Sequence, residues 1–176
     1  QGDQASLFAG QLAPDYSPEL DLRAVAAAAP AGELAELLTL DANTVEDVIL
    51  GSYAVNAFEA IYGPAYPDLD VSDVVTPEGQ AVIYEIVELC DLPQFAELEA
   101  IAGPITGKFL VEGATESEPW ATLLAENSPG GTHIAVPVLI TQGEADTLVV
   151  PSTTAGLVST YCDNGTNVAE KTYPGA

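Results

Sequence analysis

The sequence predicts an α/β fold in which a small parallel sheet is interrupted by a long helical insertion. Three observations predict it. Stretches of strand character stand toward both ends, at 20–29 (LDLRAVAAAA), 134–141 (IAVPVLIT) and 168–173 (VAEKTY). Amphipathic segments lie beside them, the pairing that builds βαβ units. The middle third, in contrast, carries helix caps and helical spacing only. An insertion between strands of one sheet explains this order better than two independent domains, and no internal repeat is present. Residues 1–39 and 129–176 are therefore assigned to the sheet core and residues 40–128 to the insertion.

The elements follow in order. Residues 3–12 place Ala5, Phe8, Ala9 and Leu12 on one helical face, and Pro14 is expected to close that helix. The run at 20–29 is compact and apolar up to Pro30, which suits a buried strand of a parallel sheet; because alanine favours helix, the strand assignment rests on context. From Asn43 to Tyr62 a long helical pattern presents Val45, Val48, Ile49, Tyr53, Phe58, Ile61 and Tyr62, and Gly63-Pro64 ends it. Thr76-Pro77-Glu78 sets a cap and a first-turn proline for a helix running toward Cys90. Further helices are expected over 93–101 and 120–126. After the loop composition of 127–131 the strand at 134–141 is followed by a helix from about Pro151 to Tyr161, a turn at Asn164-Gly165 and the strand at 168–173.

Composition limits the partners. The 176 residues carry 27 Asp and Glu against 3 Lys and Arg, a formal net charge of -24. Such a chain repels phosphates, so nucleic acid and anionic membrane surfaces are poor partners. With charged residues at only 17%, the imbalance is a shortage of bases more than a surplus of acids, and it suits a dispersed secreted or salt-tolerant protein. The longest apolar run, Ala24 to Ala29, falls far short of the roughly 18–20 residues that cross a bilayer. Cys90 and Cys162 could pair in an oxidising compartment, although two cysteines fix nothing by themselves. One histidine and no Cys/His cluster argue against structural zinc. Asn164-Gly165-Thr166 is a glycosylation sequon, relevant in a eukaryotic secretory host.

The most informative stretch is PVLITQGEADTLVVPSTTAGL at 137–157. A strand delivers the chain to a glycine turn, Asp146 stands just past the strand end, and a helix begins near Pro151. Open α/β sheets place functional groups at the carboxyl ends of parallel strands. Asp146 is also a residue type common in turns for its own sake. Glu144 is the competing carboxylate.

The pattern resembles the acid turn of α/β-hydrolases, in which a strand, Gly-x-x-Asp and a following Val-Pro present the carboxylate of a catalytic triad. Two further stretches add to it. Gln1-Gly2 before the amphipathic DQASLFAGQL looks like the end of a G-x-S-x-G nucleophile elbow and the helix after it. KTYPGA looks like the last strand and the turn that leads to the catalytic histidine in this superfamily. With SPELDLRAVAAAAPAGEL ahead of a helical insertion, the chain over essentially its whole length is similar to the secretory lipases of bacteria and fungi, the group of the Candida lipase A type. One departure is Asp3, where small residues are more usual.

The resemblance implies a partial α/β-hydrolase sheet with a helical cap, or lid, and hydrolysis of carboxylic esters such as acyl glycerols through an acyl-enzyme. It assigns Asp146 as the acid that orients the histidine, and the backbone N–H of Gln1 as an oxyanion-hole donor. It implies an extracellular protein without metal or organic cofactor, acting on lipid or other ester substrates, with contact to a lipid interface through the cap and no stable membrane insertion. The nucleophile serine and the base histidine are expected outside this sequence, which would then be a fragment inactive alone.

The remaining candidates are weighed against ordinary roles. His133 precedes Asp146, the reverse of the triad order, and reads as a surface loop residue. Ser6, Ser128 and Ser152 lack an elbow context, Ser152 reading as a helix cap. The apolar residues of the insertion, Trp120 included, serve as a helical core as readily as an acyl channel. Two alternatives stay open: a peptidase or acyltransferase of the same fold, and a non-catalytic acidic module that binds a hydrophobic ligand or partner.

Overall fold

The computed structural model describes residues 2–40 and 44–175. The chain divides into two compact units, one formed by Gln1–Leu37 with Ala125–Ala176 and the other by Leu38–Leu124.

The first unit holds a three-stranded parallel sheet in the order β1-β2-β3, with β1 at Val25–Ala28, β2 at Val138–Gly143 and β3 at Val168–Tyr173. Helix α1 (Gly2–Tyr16) precedes β1, and α7 (Pro151–Asp163) crosses from β2 to β3. Leu7 of α1 and Leu157 and Tyr161 of α7 share one core with Val25, Ala27, Val138 and Ile140. Every second residue of β1 and β2 faces that core, as the two-residue period of a strand requires. The expected fully buried first strand is thus corrected. Only four residues of LDLRAVAAAA are strand, 20–24 are exposed, and Ala26 and Ala28 turn away from the core. The helices α1 and α7 cover one face, so the apolar stretch 25–28 is still half exposed. In β2, Pro137 delays the start to Val138, although Ile134 is buried ahead of it.

Helix α1 also outlasts the expected stop at Pro14, which lies within it. A proline in the last turn removes one amide from a ladder that is about to end, and Ser17 N–H still donates to the Ala13 carbonyl. Gly10 of α1 sits against the sheet: a Cβ there would come within 2.7 Å of Val25 Cγ2. A half-buried polar tie joins this unit, with the Gln11 Oε1 accepting from the Tyr161 hydroxyl at 3.1 Å and from Gly130 N–H at 2.8 Å. Burial pushes the Tyr161 phenol up to about 12. Asn164 of the sequon is half-buried, its amide donating to Gly130 O and its Oδ1 accepting from Thr166.

The second unit is helical. Helix α3 (Val45–Tyr62) opens on Thr44, whose side chain accepts from Asp47 N–H while Asp47 accepts from Thr44 N–H, a capping box. Helix α4 (Pro77–Val87) has Thr76 as its cap, and α5 (Phe95–Ala102) follows. Helix α2 (Leu34–Leu40), absent from the expectation, and α6 (Trp120–Glu126) span its limits along the chain. The core gathers Val48, Ile49, Ile83, Ile86, Leu98 and Phe109, with Trp120 2% exposed. Trp120 stacks on Phe58 at 6.1 Å between centroids, and its indole N–H donates to Asp70 O at 2.9 Å. It is therefore a packing anchor, whereas Ile61, expected on the apolar face, is 67% exposed. No helix among the described residues is long and apolar enough to cross a membrane.

Candidate functional site

Strand β2 ends at Gly143, and the chain beyond it turns sharply. Glu144 N–H donates to Tyr173 O at the end of β3, and Asp146 N–H donates to Gly143 O at 3.3 Å. Asp146 is half-buried in this turn. Its Oδ1 accepts from the N–H groups of Leu148 and Val149, each at 2.9 Å. These two donors hold the carboxylate like an Asx turn, and no hydrogen bond reaches Oδ2 among the described residues. Glu144, in contrast, is exposed and accepts from the Thr172 hydroxyl at 2.8 Å, which draws it over β3.

The remaining sequence candidates fall elsewhere. Gln1 lies outside the described residues. Asp3, in the first turn of α1, accepts from Ala28 N–H at 2.8 Å and so occupies an amide at the end of β1. His133 is exposed and meets Thr166 Oγ1 at 3.3 Å, on the approach to the amino ends of β2 and β3. A six-residue strand, roughly 20 Å long, stands between it and the turn of Asp146. Ser6 donates to Gly2 O within α1, and Ser128 accepts from Leu34 N–H. Ser152 is not a cap: α7 opens on Val150 with no side-chain cap bond, and Ser152 is its second helical residue. Cys90 and Cys162 are free, exposed thiols.

A cavity of about 650 Å³ lies in the helical unit, lined by Val55, Leu69, Ile83 and Tyr84 and by carboxylates including Glu59 and Asp70. Hydrogen bonds from Ser72 hold the Asp70 carboxyl below its ordinary value. No group of three or more His, Cys, Asp or Glu able to hold a metal occurs among the described residues.

A family model described as secretory lipase matches residues 1–173. The chain belongs to the secretory lipase family. No curated protein matches it. Among solved structures, this secretory lipase chain is similar to the rice cell wall degrading esterase LipA of Xanthomonas oryzae in a ligand-bound form, at 16% identity and a TM-score of 0.78, with 99% of this chain and 49% of that one covered. It is similar to Candida antarctica lipase A at 19% identity and a TM-score of 0.70, covering 99% and 42%. A crystal structure of a putative hydrolase from Legionella pneumophila matches at 14% identity and a TM-score of 0.76, covering 98% and 47%. At these identities the likeness establishes the fold, a partial α/β-hydrolase sheet with a helical insertion. The chain spans about half the length of the structures it matches.

Sequence reasoning passed over Gln142, Thr154 and the role of Asp3. Gln142 had one available signal, a polar residue at the inward parity of Val138 and Ile140. Thr154 and Asp3 had none, because their partners are set by the fold.

Proposed function

We propose that the protein to which this chain belongs is an extracellular carboxylic-ester hydrolase, a lipase or esterase, with Asp146 as the acid of a Ser-Asp-His triad. The observation that carries the reading is the geometry of Asp146. It stands past the carboxyl end of the central parallel strand, with Oδ1 fixed by two backbone amides and Oδ2 free to accept from an imidazole. Family membership supports it. Glu144 is the weaker choice, since the Thr172 hydroxyl already engages it.

In this reading the serine and the histidine come from sequence outside these residues. A serine hydroxyl attacks an ester only when a base removes its proton, and the imidazolium so formed is stabilised by a carboxylate that does not itself take the proton. Asp146 supplies that charge. The N–H of Gln1 supplies one donor to the oxyanion of the tetrahedral intermediate. No metal or organic cofactor takes part. The segment 40–128 serves as a cap over the acyl group, and opening it would present apolar surface to a lipid interface.

Hydrolysis of p-nitrophenyl esters tests the proposal. The isolated chain is expected to show no turnover, while the protein that includes the serine and histidine turns over and loses about 10⁴-fold in kcat on Asp146→Asn. Turnover by the isolated chain, or an undiminished Asp146→Asn enzyme, would refute it. Absence of activity in both forms would favour the binding module.

A further inference from the structure

One buried polar group has no part in the triad. Gln142, in β2, is 1% exposed and faces the apolar core. An amide buried there is costly unless its donors and acceptor are all engaged, and here they are. Nε2 donates to Val149 O at 2.9 Å and to Gly143 O at 3.1 Å, and Oε1 accepts from the Thr154 hydroxyl at 2.5 Å. Thr154 is itself fully buried in the first turns of α7.

These partners bracket a single feature. Gly143 and Val149 are the two ends of the loop that carries Asp146, and Thr154 belongs to the helix that follows. Val149 joins the two sets of bonds, because its N–H donates to Asp146 Oδ1 while its carbonyl accepts from Gln142. The amide contacts fix the carboxylate relative to its loop. Gln142 fixes the far end of that loop relative to β2 and, through Thr154, to α7. An apolar residue at 142, as at 138 and 140, would fill the same space and leave the Val149 end of the loop untethered.

We infer that Gln142 and Thr154 form a latch that sets where the Asp146 carboxylate stands, and that both are positioning residues for the triad. This inference rests on the proposed role of Asp146.

The test is made in the protein that includes the serine and histidine. It compares Gln142→Leu, Thr154→Val, Thr154→Ser and Asp146→Asn, with kcat and KM for a soluble p-nitrophenyl ester measured across pH and normalised to titrated active sites. A carboxylate beside the histidine raises the imidazole pKa, so the acid limb of kcat/KM reports its placement. Gln142→Leu and Thr154→Val are expected to lower kcat by up to about 100-fold, the scale of a 1 Å misplacement, with KM little changed. Both are expected to move the acid limb to lower pH, in the same direction as Asp146→Asn. Thr154→Ser restores both properties, and Gln142→Leu costs nothing more on the Asp146→Asn background. If Gln142→Leu does not fold, Thr154→Val carries the test, since it removes only the bond behind the amide. Variants with an unmoved acid limb, beside an Asp146→Asn enzyme that is impaired, overturn the latch alone. An Asp146→Asn enzyme with unchanged rate and limb overturns the role of Asp146, and the latch with it.

Discussion

Glu33 offers a sharp test of the electrostatics of the sheet-bearing unit. Its carboxyl lies along α7 at Gly156, where an added Cβ would come within 2.6 Å of Glu33 Oε1. Burial, a hydrogen bond with Glu36 and the charge of Glu36 push it up from its ordinary 4.5 to about 6. The native state then holds this proton more tightly than the unfolded chain. Its stabilising contribution is complete below pH 4.5, falls as pH rises and is lost through about pH 6. At about 1.36 kcal/mol per unit the ceiling is about 2 kcal/mol, and solvent screening of this half-buried group reduces it to about 1 kcal/mol or less. Glu33→Gln removes the ionisation, so it is expected to stabilise the unit by about that amount near pH 7.5 and to change nothing near pH 4.5. Trp120 fluorescence would report on the helical unit. Urea dependence of amide exchange at Ile140 and Leu157 is the appropriate assay, as both are buried in the same core as the sheet. A difference between wild type and Glu33→Gln that is independent of pH, or a loss of stability at neutral pH, would refute the reasoning. A companion variant, Gly156→Ala, displaces the flexible carboxylate toward water; it is expected to add about 0.5–1 kcal/mol of helix propensity and to abolish most of the pH dependence.

The opposite sign is expected at Gly10. It too lies inside a helix, but its new methyl meets Val25 and Ile134 in the core, so Gly10→Ala should cost about 1–3 kcal/mol by the same exchange measurement. Trp120→Ala is expected to destabilise the helical unit by about 3–5 kcal/mol, read by far-UV circular dichroism on urea titration. Thr44→Ala removes half of the α3 capping box and should cost about 1 kcal/mol, with fraying seen as faster exchange in the first turn of α3.

The parts of the fold that were legible are those decided by neighbours in sequence. Thr76-Pro77 announces α4 because cap and first turn are adjacent, and Trp120–Glu126 and Val168–Tyr173 fall where their patterns place them. Failures occur where tertiary covering decides. The charged Asp21 and Arg23 do mark 20–24 off from the paired 25–28, but which face of 25–28 is covered is set by other elements, and Pro14 ends α1 later than its missing amide suggests. At the proposed site, Gly-x-x-Asp after a strand makes the turn that holds Asp146 visible. Asp3 is opaque because its partner, the Ala28 amide, comes from another element. Gln142 is half legible: its parity marks it as inward, but the Val149 carbonyl it holds returns only after the loop has folded back.

The two free thiols lend themselves to measurement. Cys90 belongs to the helical unit and Cys162 to the sheet-bearing one, and both are exposed. Each unit thus carries its own attachment point for a spin label or a dye. A labelled pair would act as a ruler between the units, read with and without an ester-like inhibitor or a detergent interface. If the segment 40–128 opens as proposed, the opening would register as a change in the distance distribution between the two labels.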